Sequence, residues 1–193
     1  MEGLTTRTRY SKYETTNLQY AEFLNSVAVF DDRYQLYSEL MSEHFWGGIN
    51  RVNNEKCYSY TVKDGYEKLP VTFVSWFDAV RFVNWLHFGK PNTGTGGLYI
   101  TEGNSSIGAY NTEDFPDILK SVNSAKVRNN NARFWLPNCD EWIKAGFFST
   151  HSSDDGNYNN FATGNNLPLA DFRELRNGAN FYSAEGWAAL CLI

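Results

Sequence analysis

Ser75 to His87 reads as a helix that has to lie inside the protein. Ser75 supplies a capping hydroxyl, and Asp78 follows three residues later, the spacing of a capping box. Asp78 in the first turn also suits the helix macrodipole. Ala79, Val80, Phe82, Val83, Trp85 and Leu86 cover more than one face, so the other elements must pack around this helix. Pro70 to Val74 leads in as an extended segment. Gly89, Pro91, Gly94, Gly96 and Gly97 stop the helix and open a loop.

A second helix is predicted from Thr15 to Val27, capped by Thr15 or Thr16, with Tyr20, Phe23, Leu24 and Val27 on one face. Arg133 to Leu136 reads as a short buried strand ended by Pro137. Asn138 with Glu141 then caps a third helix carrying Trp142, Ile143, Ala145 and Gly146. Cys57 to Val62 alternates as a strand, and Lys63-Asp64-Gly65 turns the chain after it. Residues 31–46 are aromatic and acidic, a short helix or loop that Gly47-Gly48 breaks. Residues 98–131 are polar, with a helix near 114–122 and a turn at Asn129-Asn130-Asn131. Residues 149–180 form a long irregular segment rich in Asn, Asp, Gly and Ser. The positions of Trp76, Trp85, Trp135 and Trp142 on helix faces and a strand place them in the core rather than on a stacking surface.

The chain has 193 residues, enough for one domain with a real core. Apolar content of 42% against 20% charged excludes a disordered chain, and a net charge of -5 argues against a general nucleic-acid binder. No apolar run reaches the roughly 18 residues of a membrane span. Met1 to Tyr13 is polar, with Arg7 and Arg9, and resembles no secretory signal, which favours a cytoplasmic or virion-associated protein. Cys57, Cys139 and Cys191 are widely spaced and expected to be buried or inert thiols. His44, His87 and His151 are isolated, at no metal-ligand spacing.

Loop tyrosines are the candidates for a ligand surface: Tyr99, Tyr110, Tyr158 and Tyr182, set among Asn, Ser and Gly, the chemistry of adaptable recognition. Asp154, Asp155, Asn157, Asn159 and Asn160 gather oxygens of the kind Ca²⁺ uses, yet lack EF-hand spacing, and a solvated turn is the preferred reading. Asn104-Ser105-Ser106 is a formal glycosylation sequon. From Trp187 to Ile193 the chain is uncharged and nearly all apolar. Such an end is expected to pack as a core strand or to dock on a partner, with Trp187, Leu190, Leu192 and Ile193 as the interface candidates.

Four segments in order carry a resemblance: Tyr13-Glu14-Thr15-Thr16-Asn17 with Gln19-Tyr20 and Phe23-Leu24; Pro70-Val71 with Val74-Ser75-Trp76 and Asp78-Ala79; Asn84-Trp85-Leu86; and Leu136-Pro137 with Glu141-Trp142. In these the chain resembles the formylglycine-generating, sulfatase-modifying-factor family. The resemblance implies a single compact α+β domain over residues 1–193, C-type-lectin-like, with much irregular structure. Members of that family include copper-dependent oxidases that convert a substrate cysteine to formylglycine, and relatives that use the scaffold as a binding surface. The paired cysteines and the Gly- and Trp-rich motifs of the catalytic members are not found here, as though the domain were shortened at its C-terminus.

The expectation is therefore a non-catalytic binding or structural module on this scaffold, displayed on a virion or cell surface. Its partners would be a protein, a glycan, or a second copy joined through the apolar C-terminus, with no nucleic acid, no membrane insertion and no cofactor. The alternative is a metal-dependent oxidoreductase of the family, incomplete in this chain, which would use copper.

Overall fold

The computed structural model describes residues 9–11, 13–92, 109–110, 128–148 and 158–159, with the backbone of 181–183 and 186–188. The chain divides into two compact units, Met1–Leu136 and Pro137–Ile193. The first contains helix α1 (Asn17–Val27), a short helix α2 (Leu40–Glu43), strands β1 (Ile49–Asn54) and β2 (Cys57–Val62), and helix α3 (Trp76–His87).

Both long helices of this unit begin with capping boxes: the one at α3 is as predicted, while at α1 the expected cap is Thr16 rather than Thr15, and Gln19 completes a box that the sequence pattern did not predict. The Thr16 hydroxyl accepts the Gln19 N–H, and the Gln19 side chain accepts the Thr16 N–H. Ser75 and Asp78 do the same at α3. Each cap stabilises its helix by about 1 kcal/mol. The strands form an antiparallel hairpin in which Ile49 faces Val62 and Asn54 faces Cys57. The first strand, Ile-Asn-Arg-Val-Asn-Asn, was not legible as one. Asparagine is depleted in strands, so β1 owes its conformation to β2 and the core rather than to its own residues.

The core forms where α1 and α3 meet the hairpin. Rings of Tyr20, Phe23, Phe82 and Trp85 pack edge-on or tilted at centroid separations of 5.4 to 5.8 Å, and Phe23 and Trp85 are completely enclosed. The prediction that α3 is buried on more than one face holds. Phe82 and Trp85 join this cluster, while Val80 and Val83 enter a second one with Ala109 and Tyr110, flanked by Trp135 and Leu136.

Much of the buried backbone is satisfied by side chains rather than by ladders. Asn25 of α1 accepts the Tyr60 N–H at 3.0 Å and donates to the Tyr60 carbonyl at 2.7 Å, completing the edge of β2. Asn84 of α3 grips Tyr110 in the same way, at 2.9 and 3.0 Å. The Asn17 amide nitrogen donates to the carbonyls of Tyr66 and Leu69 at 3.0 and 3.1 Å. Tyrosine hydroxyls do the rest: Tyr20 donates to Leu36, Tyr60 to Ala28 and Tyr110 to Leu136. Burial pushes the Tyr20 and Tyr60 hydroxyls further above their ordinary pKa, which keeps them protonated donors. The high aromatic content thus serves backbone accounting as well as packing.

Three expectations are corrected here. Arg133 to Leu136 is not a strand. The Arg133 N–H goes to His87 Nδ1 at 3.1 Å, and both backbone groups of Leu136 meet the Tyr110 hydroxyl, so these three groups are taken by side chains rather than by a ladder. Trp76 is not core but 44% exposed. The capping box turns Asp78 inward, and Trp76, two residues earlier and about 200° around the helix, faces the other way. Trp135 is half-buried, with the Arg128 guanidinium 4.5 Å above its ring. The turn at residues 129–131 is present, closed by the Ala132 N–H on the Asn129 carbonyl.

The second unit contains helix α4 (Cys139–Phe147) and a short antiparallel hairpin, β3 (Phe181–Ser183) with β4 (Gly186–Ala188). The Asn138–Glu141 capping box forms as predicted. Its consequence overturns two other expectations. Glu141 is the buried residue of the helix, so Trp142, one position and about 100° on, is 56% exposed and tilts against Phe147. Cys139, at the solvent side of the first turn, is exposed rather than buried. An isolated bridge pairs Phe148 with Tyr158. The expected helix near 114–122 lies outside the described residues. The mixture of capped helices and small hairpins with abundant irregular chain is an α+β fold.

Candidate functional site

In the first unit, the loop before α2, strand β1 and the entry to α3 line an open cavity of about 650 Å³. Its charged lining consists of Asp32, Glu39 and Asp78 against Arg51, with rings of Tyr34, Tyr37 and Phe73 beside them. That volume lies in the usual range for small-ligand sites, roughly 300–1,000 Å³.

Each polar group is held in place. Asp32 accepts the backbone N–H of Leu36 at 2.8 Å and of Tyr37 at 3.1 Å, which shapes the loop, and lies 3.8 Å from the Arg51 guanidinium. Arg51 projects from β1 with its guanidinium 4.6 and 4.9 Å from the ring centres of Tyr37 and Tyr58, and pairs with Glu39. Asp78 receives the Ser75 hydroxyl at 2.6 Å and the Ser75 N–H at 2.9 Å. Beside the cavity, the buried Arg81 guanidinium lies 3.6 Å from the ring centre of Tyr34.

Burial raises the Asp32 carboxyl to about pH 6; two backbone N–H donors and Arg51 pull the other way, and Asp78 adds a smaller upward push. Burial also raises Asp78, against the Ser75 hydrogen bonds and Arg81. Among the described residues three non-glycines have positive φ, and two of them, Gln35 at 55° and Phe73 at 60°, line the cavity. For a bulky aromatic such as Phe73 this is a costly conformation, held by the surrounding structure.

The candidate tyrosines fare differently. Tyr110 is buried at 4% exposure, its hydroxyl taken by Leu136, so it is not part of an exposed face. Tyr158 is 47% exposed, next to Phe148. Tyr182 is in β3 and Trp187 in β4, where only the backbone is described; Tyr99, Leu190, Leu192 and Ile193 lie outside the described residues, as do Asp154, Asp155, Asn157, Asn160 and the Asn104 sequon. The cavity itself was missed. Its one sequence signal is the aromatic and acidic run at residues 31–46, but Arg51, Phe73 and Asp78 join it only through the fold.

Copper chemistry of the kind the resemblance implies needs two thiolates on one soft cation. Cys57 is the only cysteine of the first unit, half-buried at the turn end of the β1–β2 hairpin with Glu55 and Lys56 before it. Cys139 is exposed in the second unit, and Cys191 lies outside the described residues. Among the described residues no three His, Cys, Asp or Glu side chains gather as a metal site. His44 Nδ1 instead accepts the Trp46 N–H, and His87 Nδ1 that of Arg133.

Comparison with known proteins matches no curated protein. No solved structure matches either. A family model, the sulfatase-modifying factor enzyme 1-like domain, matches residues 8–186. That span takes in both units and every segment on which the resemblance rests, and the chain belongs to the sulfatase-modifying factor enzyme 1-like domain family.

Proposed function

We propose that this domain is a non-catalytic binding module, with the cavity between the Asp32 loop, β1 and the α3 entry as its ligand site. The supporting observation is the state of the cavity's polar groups. Asp32, Arg51, Glu39 and Asp78 are each fixed by hydrogen bonds, ion pairs or stacked rings before any ligand arrives. Fixed groups reduce the ordering cost of binding, which is what recognition requires. Ser75, whose hydroxyl donates to the Asp78 carboxylate, is itself engaged in capping α3. Display on a virion or cell surface, and self-association through Trp187, Leu190, Leu192 and Ile193, belong to the same proposal. The test is incubation of the full chain with Cu(I) and a cysteine-containing sulfatase peptide, read by mass spectrometry. Peptide without formylglycine is the expected result; catalytic conversion would refute the binding-module reading.

A further inference from the structure

We infer that the cavity takes an organic cation, an alkylammonium or guanidinium of the size of a lysine or arginine side chain; this rests on the binding-module reading. Three observations carry it. First, the lining holds three carboxylates, Asp32, Glu39 and Asp78, against one guanidinium, Arg51. Glu39 and Asp32 both turn toward Arg51, and Arg81, outside the lining, lies on Tyr34. With Arg81 counted as well, since its charge acts on Asp78, three carboxylates stand against two guanidiniums, an excess of one negative charge. Second, the walls already show how they hold a cation. Arg51 lies over the lining ring of Tyr37 next to Asp32 and Glu39, and Arg81, outside the lining, lies over the lining ring of Tyr34 near Asp78. Aromatic faces beside carboxylates are the recurring chemistry of ammonium and guanidinium recognition. Third, about 650 Å³ admits one such side chain with its hydration.

The experiment titrates the full chain, followed by NMR, with Nα-acetyl-lysine amide, Nα-acetyl-arginine amide, pentylammonium, and the neutral isostere Nα-acetyl-norleucine amide. Saturable shifts with the cations, at least about tenfold tighter than with norleucine, are expected from one charge-assisted contact. Equal affinity of pentylammonium and blocked lysine would assign the site to a free amine. Tighter binding of blocked lysine would assign it to a side chain on a partner peptide. Both results keep the inference. Two variants give opposite signs: Glu39→Gln, at an exposed position, should weaken cation binding, and Arg51→Gln should tighten it. Norleucine binding as well as lysine, no saturation with any cation, or variants that move affinity in the same direction would overturn the inference. Failure here leaves the formylglycine assay untouched, so the two proposals fall separately.

Discussion

Asn84 gives the sharpest test of how this fold holds its irregular chain. Its amide accepts the Tyr110 N–H and donates to the Tyr110 carbonyl, in a region where Asn84 and Ala109 are fully enclosed and Tyr110 is 4% exposed. Asn84→Ala leaves both backbone groups of Tyr110 buried without these partners. Each buried orphan costs about 1–3 kcal/mol, and the lost side-chain volume adds to that. The expected destabilisation is about 3–4 kcal/mol by urea unfolding followed through tryptophan fluorescence. Asn84→Asp separates hydrogen bonding from volume. One oxygen still accepts the Tyr110 N–H, but the other faces a carbonyl and needs a proton to donate. The introduced carboxyl should then have a folded pKa above its unfolded value. Its contribution is present below the unfolded pKa and is lost as pH rises through the folded one, so the variant should recover toward wild type on going from pH 8 to pH 5. A loss under 1 kcal/mol for Asn84→Ala, or no pH dependence for Asn84→Asp relative to wild type, would refute the clamp.

Asp32 predicts a pH dependence of known sign. Its folded pKa of about 6 exceeds the unfolded 3.8, so the folded state holds the proton more tightly and this group's contribution falls as pH rises from about 4 to about 6. The shift corresponds to at most about 3 kcal/mol, and unfolding curves at pH 4.5 and 7.5 should show a smaller difference in Asp32→Asn than in wild type. Gly48→Ala should destabilise by about 2 kcal/mol or more in thermal or urea unfolding, because a Cβ there runs into the Asn17 amide and drives it off the Tyr66 and Leu69 carbonyls.

Local chemistry was legible; assembly was not. The cap at Thr16 and the capping pairs Ser75–Asp78 and Asn138–Glu141 follow from hydrogen-bond geometry within one helical turn, and they stand in the structure. The strand Cys57–Val62 and its following turn, where Gly65 takes φ of 83°, are equally local. What failed depended on distant partners. The strand Ile49–Asn54 exists because Cys57–Val62 pairs with it. Arg133–Leu136 is not a strand because His87 and Tyr110 take backbone groups that a ladder would use. Trp76 and Trp142 look like core from their places on helix faces, but the caps orient Asp78 and Glu141 inward in their place. The cavity is the extreme case, drawn from residues 32 to 78 with nothing in the local pattern to join them.

The helix-borne amides of Asn17, Asn25 and Asn84 touch their targets through carbonyl and N–H groups. Such contacts are blind to the side chain attached to the gripped residue. The segments at residues 60, 66, 69 and 110 are therefore fixed in position without being fixed, by these contacts, in identity. A frame secured in this way tolerates wide drift in the sequences it carries, provided a few asparagines stay put.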